Sequence, residues 1–290
     1  MKYVIAVWFA LGRLPFPLYR ILAAFIAGVL TALLFVGATE RRHITLTNLR
    51  MCFPKAHVIR RIAWGVQHMY FYVRTFLDRA WLWGGPSHVV VERVVFDNPE
   101  ALRELQLNKP TIFLAPHFLG LDAAWSRLCL DMRLVTMYSN QKNPLLNNLI
   151  LQGRAAYGDP VLLSRQQGIR PLISSMKQGR ALYYLPDMDF GARDSVFVSF
   201  FGHQAATVTA VSRLARLLTA QVVPVTTRYS KGRYIIHVHP PFDNYPFDDE
   251  HQSAQFMNHQ IEAWVEGNIT QYLWLHKRFK TRPNGESRIY

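Results

Sequence analysis

The sequence predicts an α/β domain, a mixed and largely parallel sheet flanked by helices, preceded by one amino-terminal transmembrane helix. Three observations predict it. The run 21–39 holds 19 residues without a charge, and about 20 apolar residues cross a bilayer core as a helix. Beyond residue 88, short β-rich runs alternate with helix-length runs, as in a sheet with crossover helices. The 290 residues, half of them hydrophobic, are enough for one large core without disulfides.

Residues 1–40 read as a membrane anchor and 41–290 as a single α/β domain. The run 21–39 has two competing readings. One is a buried core helix. The other is a cleaved leader, since Val36-Gly37-Ala38 resembles a cleavage site. The run is longer than a leader's usual apolar stretch, so an uncleaved anchor is preferred. The cluster Arg41, Arg42, Arg50, Lys55, Arg60 and Arg61 follows it closely. By the positive-inside rule the body then faces the cytoplasm. Lys2, Arg13 and Arg20 on the other flank make that asymmetry smaller.

The aromatic-rich stretch 59–83 predicts one or two helices against the membrane or the core, stopped by Gly84-Gly85-Pro86. Strands are then expected at 89–96, 111–115, 134–138, 161–163, 181–185, 222–228 and 234–239. Helices are expected at 99–105, 121–130, 144–157, 169–178, 208–218, 252–268 and 271–279. The run 196–201 reads as strand and core, or as the lining of an acyl channel. Thr207 and Thr209 read as helix-start residues.

The chain carries a net charge of +14, so its partners should be anionic: nucleic acid, acidic lipid, a phosphorylated substrate or an acidic protein. The first 85 residues hold nine of those charges and the last 15 hold four. Basic flanks around a nearly neutral body fit a membrane surface or an acidic docking partner better than nucleic acid. Cys52 and Cys129 form no zinc spacing and no disulfide framework, which suits a reducing compartment.

The informative stretch is TIFLAPHFLGLDAAW at 111–125. An apolar strand runs into His117, then Gly120, Asp122 and a helical run. Of eleven histidines, His117 alone has an aspartate five residues on, forming H-x4-D. Active groups gather at strand carboxyl ends in such sheets. Five residues turn about 140° on a helix. The two can therefore meet only if His117 sits in the turn and Asp122 in the first helical turn, with Gly120 easing the bend. Asp122 would then fix the imidazole tautomer, and the other nitrogen could take a proton from an alcohol. No Ser or Cys lies between them, which favours direct attack by an acceptor hydroxyl. The structural alternative, Asp122 as a helix cap and His117 as a turn residue, stays open.

The chain resembles the lauroyl/myristoyl acyltransferases of lipid A biosynthesis, within the wider lysophospholipid-acyltransferase-like group. The likeness rests on ITLTNLRMCFP at 44–54, H-x4-D, Arg154 after NPLLNNLILQG, LPDMDFGARDSVFVSFFG at 185–202 and QYLWLHKRFKTRP at 271–283. Met188 stands where many members carry Gln. The resemblance implies a membrane-facing glycerolipid acyltransferase-like fold in the bacterial inner membrane. It implies acyl-acyl carrier protein as donor and a hydroxyl of a Kdo-bearing lipid A precursor as acceptor. His117 is implied as base, with Asp122, Arg154 and Asp187 also needed for activity.

Arg154 could clamp a phosphate or support an oxyanion, or make a surface salt bridge, with Asp187 a candidate partner. Backbone amides near Gly120 are candidate substrate contacts. No metal is expected: Asp187 and Asp189 lack a third ligand, and a thioester is already activated. No cofactor is expected beyond the donor substrate. The expected partners are acyl carrier protein, the lipid A precursor and anionic inner-membrane lipid, with no nucleic acid. The rival readings are a glycerophospholipid, lyso-lipid or glycolipid acyltransferase, a thioesterase, and a non-catalytic membrane-anchored polyanion binder. The glycerophospholipid reading lacks a phosphate-grip block of the FPEGTR type.

Overall fold

A computed structural model describes residues 2–105 and 109–290. The amino-terminal layer is helical: α1 (Lys2–Gly12), α2 (Phe16–Gly37), α3 (Thr39–Cys52) and α4 (Val58–Gly84). Among the described residues, α2 is the one helix long and apolar enough to cross a membrane. Pro15 and Pro17 start it, because a proline near the first turn forfeits only an amide with no helical partner. Its buried stripe is Tyr19, Ala23, Ala27 and Thr31, one residue per turn. That stripe packs along α4, while Ile21, Phe25, Leu33 and Val36 stay exposed.

The order continues with α5 (Ser87–Arg93), β1 (Val94–Phe96), α6 (Pro99–Arg103), β2 (Thr111–Leu114), α7 (Leu121–Asp131), β3 (Leu134–Tyr138), α8 (Pro144–Arg154), β4 (Val161–Ser164), α9 (Arg170–Lys177) and β5 (Ala181–Tyr184). It ends with β6 (Ser195–Phe200), β7 (His203–Val208), α10 (Ala210–Leu218), β8 (Gln221–Ser230), β9 (Arg233–Val238) and α11 (Glu250–Glu266). The main sheet runs β1-β9-β8-β2-β5-β3-β4. All its pairings are parallel except β8 with β9. The expected α/β fold with a largely parallel sheet is therefore present. β2 lies between β8 and β5 with all four residues buried, which explains its unbroken apolar run.

Three expectations differ. Residues 89–93 are the end of helix α5, and only 94–96 form strand. Pro86 starts that helix and Val90 is buried beneath it, so tertiary packing overrides the β-branched composition. The run 271–279 is not a helix. Its backbone is engaged elsewhere: Leu273 N–H donates to His117, and Trp274 and His276 carbonyls accept from Asn48 Nδ2. Thr207 lies in β7 rather than at a helix start, whereas Thr209 immediately precedes α10. The strand at 196–201 is present as β6, paired antiparallel with β7 in a separate hairpin.

Candidate active site

The carboxyl end of β2 delivers His117. Ala115 N–H still bonds to Tyr184 of β5, so the chain leaves the sheet at Pro116. Two bonds then clamp the turn onto the carboxy-terminal segment: His117 C=O accepts from Leu273 N–H, and Leu119 N–H donates to Gln271 C=O. β5 ends beside β2, so Asp187 arrives at the same edge.

The His117 ring meets Asp187 and not Asp122. Nδ1 lies 2.7 Å from Asp187 Oδ1, and the His117 backbone N–H donates to Oδ2 at 2.9 Å. Asp187 is 2% exposed. Burial pushes its carboxyl up, but the His117 charge and the bonds from His117 and the Tyr272 hydroxyl outweigh that and hold it below the usual carboxylate range. An ionised Asp187 accepts, so Nδ1 carries the proton, and Nε2 is the nitrogen left for the cavity. The expected His117–Asp122 contact is thus replaced by a partner 70 residues on in sequence.

Asp122 stands in the first turn of α7 and is held by two arginines. Arg79 of α4 grips Oδ2 through Nε at 2.9 Å and Nη2 at 2.7 Å. Arg154 Nε bonds Oδ1 at 3.0 Å. Burial raises the Asp122 pKa, yet Arg154 and then Arg79 overcome it and bring it to about 2. The salt-bridge partner of Arg154 is therefore Asp122, not Asp187.

Local sequence explains how Arg154 is aimed. Asn143 caps α8 by accepting from Leu145 and Leu146 N–H, and Pro144 fits its first turn. Gly153 lets α8 close on α4: a Cβ there would stand 2.1 Å from the Trp83 ring. Trp125 Nε1 then donates to the Arg154 carbonyl at 2.8 Å.

Gly120 lies in the turn as expected, with a φ of −81° that any residue can adopt. It is glycine for space. A Cβ would come 2.6 Å from Thr227 Cγ2 and 3.0 Å from Tyr234, on the sheet side of the turn. Among the described residues it is not part of the cavity wall.

That cavity is about 670 Å³ and opens beside His117 and Arg154. Met137, Ile173, Leu185 and Leu214 give it apolar walls, and Met188 joins them. Arg165, stacked 3.8 Å over Phe190, and Arg213 lie at its polar side.

Sequence reasoning missed Arg79, Tyr272 and His276. His276 Nε2 accepts the Asp189 N–H at 2.9 Å, and Asp189 in turn accepts from Gly191 N–H and from Thr281. These bonds fix the segment that carries Asp187. Nothing local set Arg79 apart from Arg60, Arg61 and Arg74 in the same helical run.

Comparison with known proteins agrees across the chain. A family model described as bacterial lipid A biosynthesis acyltransferase matches residues 2–281. The chain is 33% identical over 259 residues to the lipid A biosynthesis myristoyltransferase of Escherichia coli (strain K12), covering 88% of this chain and 80% of that one. It is 31% identical over 289 residues to the lipid A biosynthesis lauroyltransferase of the same organism, covering 96% and 92%. A lipid A biosynthesis acyltransferase of Haemophilus influenzae is 33% identical over 259 residues, with 86% and 79% covered.

Proposed function

The chain belongs to the bacterial lipid A biosynthesis acyltransferases, and from that premise we propose that it moves a fatty acyl chain from acyl-acyl carrier protein to a hydroxyl of a Kdo-bearing lipid A precursor, with His117 as general base. The observation that carries this reading is the buried Asp187 holding His117 Nδ1 at the edge of a mostly apolar cavity. Nε2 takes the acceptor's hydroxyl proton as that oxygen attacks the thioester carbonyl. The tetrahedral intermediate collapses, the carbon–sulfur bond breaks, and the thiolate leaves and receives the proton from His117. Asp187 stabilises the imidazolium in between. Arg154, fixed by Asp122, supplies a cation at the cavity wall for an oxyanion or a substrate phosphate.

The acyl chain packs among Met137, Ile173 and Leu214, and the basic flanks draw in acidic acyl carrier protein and the phosphorylated acceptor. The protein sits in the inner membrane through α2, with the body on the cytoplasmic side, supported by the arginines that follow α2.

The test offers acyl-acyl carrier proteins of several chain lengths to detergent-purified protein, with a Kdo-bearing lipid A precursor and a lysophospholipid as parallel acceptors. Mass spectrometry reads the lipid. Wild type should acylate the lipid A precursor, and His117→Ala should lose about 10²–10⁴-fold, the usual cost of a lost general base. Acylation of the lysophospholipid alone overturns the acceptor. Loss of the donor thioester with no acylated lipid points to a thioesterase. An unchanged rate in the variant overturns the role of His117.

A further inference from the structure

A second cavity lies far from His117 in sequence, in the seam between α2 and α4. It holds about 520 Å³ and is almost wholly apolar. Gly28, Thr31, Ala32, Phe35 and Val36 form one wall, and Val66, Gln67, Tyr70 and Phe71 form the other. The two helices run antiparallel. Tyr19 of α2 meets Asp78 of α4 at one end, and Phe35 meets Gly65 at the other. The small residues Gly28 and Ala32 open the groove, and a Cβ at Gly28 would touch nothing within 4 Å. From Gly28 to Val36 is about 12 Å of helix, long enough for much of a fatty acyl chain.

Charge identifies the occupant. Arg42 closes the α2 end of the groove, donating to the Phe35 and Val36 carbonyls, with its guanidinium beside the Phe35 ring. On α4, Arg60 and Trp64 share one helix face with the lining residues Gln67 and Phe71, and Arg60 stacks 5.1 Å over Trp64. An arginine pair and a tryptophan where a membrane-length helix ends match a phospholipid headgroup zone.

We propose that the α2–α4 seam binds one anionic phospholipid, its acyl chain in the groove and its phosphate at Arg42 and Arg60. The lipid pins α2 to α4. The site is independent of the acyl-transfer reading, and its readout needs no turnover.

Native mass spectrometry on the full chain in mild detergent tests it, with phosphatidylglycerol, phosphatidylethanolamine and a lipid A precursor titrated at equal concentrations. Wild type should retain one phosphatidylglycerol. The double variant Gly28→Leu, Ala32→Leu fills the groove from positions that face open space, so it should fold. It should lose retention by about tenfold, about 1.4 kcal/mol. Arg42→Gln should keep the groove but lose the preference for phosphatidylglycerol over phosphatidylethanolamine. Equal retention by the filled variant, with circular dichroism confirming its fold, overturns the site. Equal retention of both phospholipids by wild type overturns the anionic headgroup. Retention of the lipid A precursor in their place overturns the phospholipid as occupant.

Discussion

Asp122 and Asp187 are both buried carboxylates, and their partners give them different tasks. Asp187 touches the ring of His117, so Asp187→Asn should remove the proton-holding acceptor and favour the wrong tautomer. We expect kcat to fall by about 10²–10⁴-fold with KM little changed, in a steady-state assay. Asp122→Asn should act through Arg79 and Arg154 instead, leaving two cations without their counter-charge. A fully buried pair costs about 3–5 kcal/mol to break. The guanidiniums keep 22% and 23% of their side-chain surface in water, so about 2 kcal/mol is expected after screening. Denaturant melts should show that pairing Asp122→Asn with Arg79→Gln costs less than the sum of the two single changes.

His68 gives a pH prediction at the same scale. It is fully buried and donates from Nδ1 to the Thr270 carbonyl. Burial lowers its pKa to about 4 from an ordinary 6.5. Above 6.5 neither the folded nor the unfolded form is protonated. Between 6.5 and 4 only the unfolded form takes the proton, so stability falls as pH falls through that window. The loss should reach about 2 kcal/mol by pH 5. His276, lowered to about 4 by burial and then by the charge of His117, adds to the same slope. Thermal melts from pH 7.5 to 5 check this, and His68→Gln should flatten part of the decline.

At the scale of elements, α4 joins the two halves of the molecule. Its Asp78 accepts from Tyr19 of α2, Arg74 and Trp81 of its own helix, and Tyr234 of β9. One turn of α4 therefore ties the apolar amino-terminal helix to the sheet, and Arg79 beside it reaches Asp122. The α4–α8 contact is equally tight. Gly153→Ala should force Trp83 or α8 to shift, at a cost of about 1–3 kcal/mol. Because Arg154 is the next residue, activity should fall by about tenfold or more. A melt combined with kcat separates this from simple unfolding: the rate should drop well below what the folded fraction explains.

Patterning made most elements legible. β2 and β3 are apolar runs, α7 and α8 follow them, and α8 opens with the Asn143 cap and Pro144 in place. The failures are local patterns overruled by distant partners. Three consecutive valines at 89–91 look like strand but pack as helix. The 271–279 run looks helical, but its amides and carbonyls serve His117 and Asn48.

At the scale of the whole molecule, the amino-terminal helices are not a detached tether. α1 and α2 both pack on α4, and Trp8, Tyr19, Ala23 and Ala27 belong to the same apolar core as Phe113 and Trp125. A chain beginning at residue 38 should therefore expose the buried face of α4. We expect it to aggregate without detergent and to melt well below the full chain, as size-exclusion chromatography and calorimetry would show. A soluble fragment with an unchanged melt would mean that these helices contribute nothing to the core.

Most of the elements, the apolar helix, the position of His117 at a strand end and the family are readable from the sequence alone. Each is written in short-range pattern: periodicity, caps and contiguous motifs. Which carboxylate serves which cation depends on the packed fold. His117 finds Asp187 because parallel β2 and β5 are neighbours, and Asp122 finds Arg79 because α7 turns it toward α4. His117 leaves β2 in the turn before α7 begins, while Asp122 stands in the first turn of α7, so each takes its partner from an element remote in sequence but adjacent in the fold.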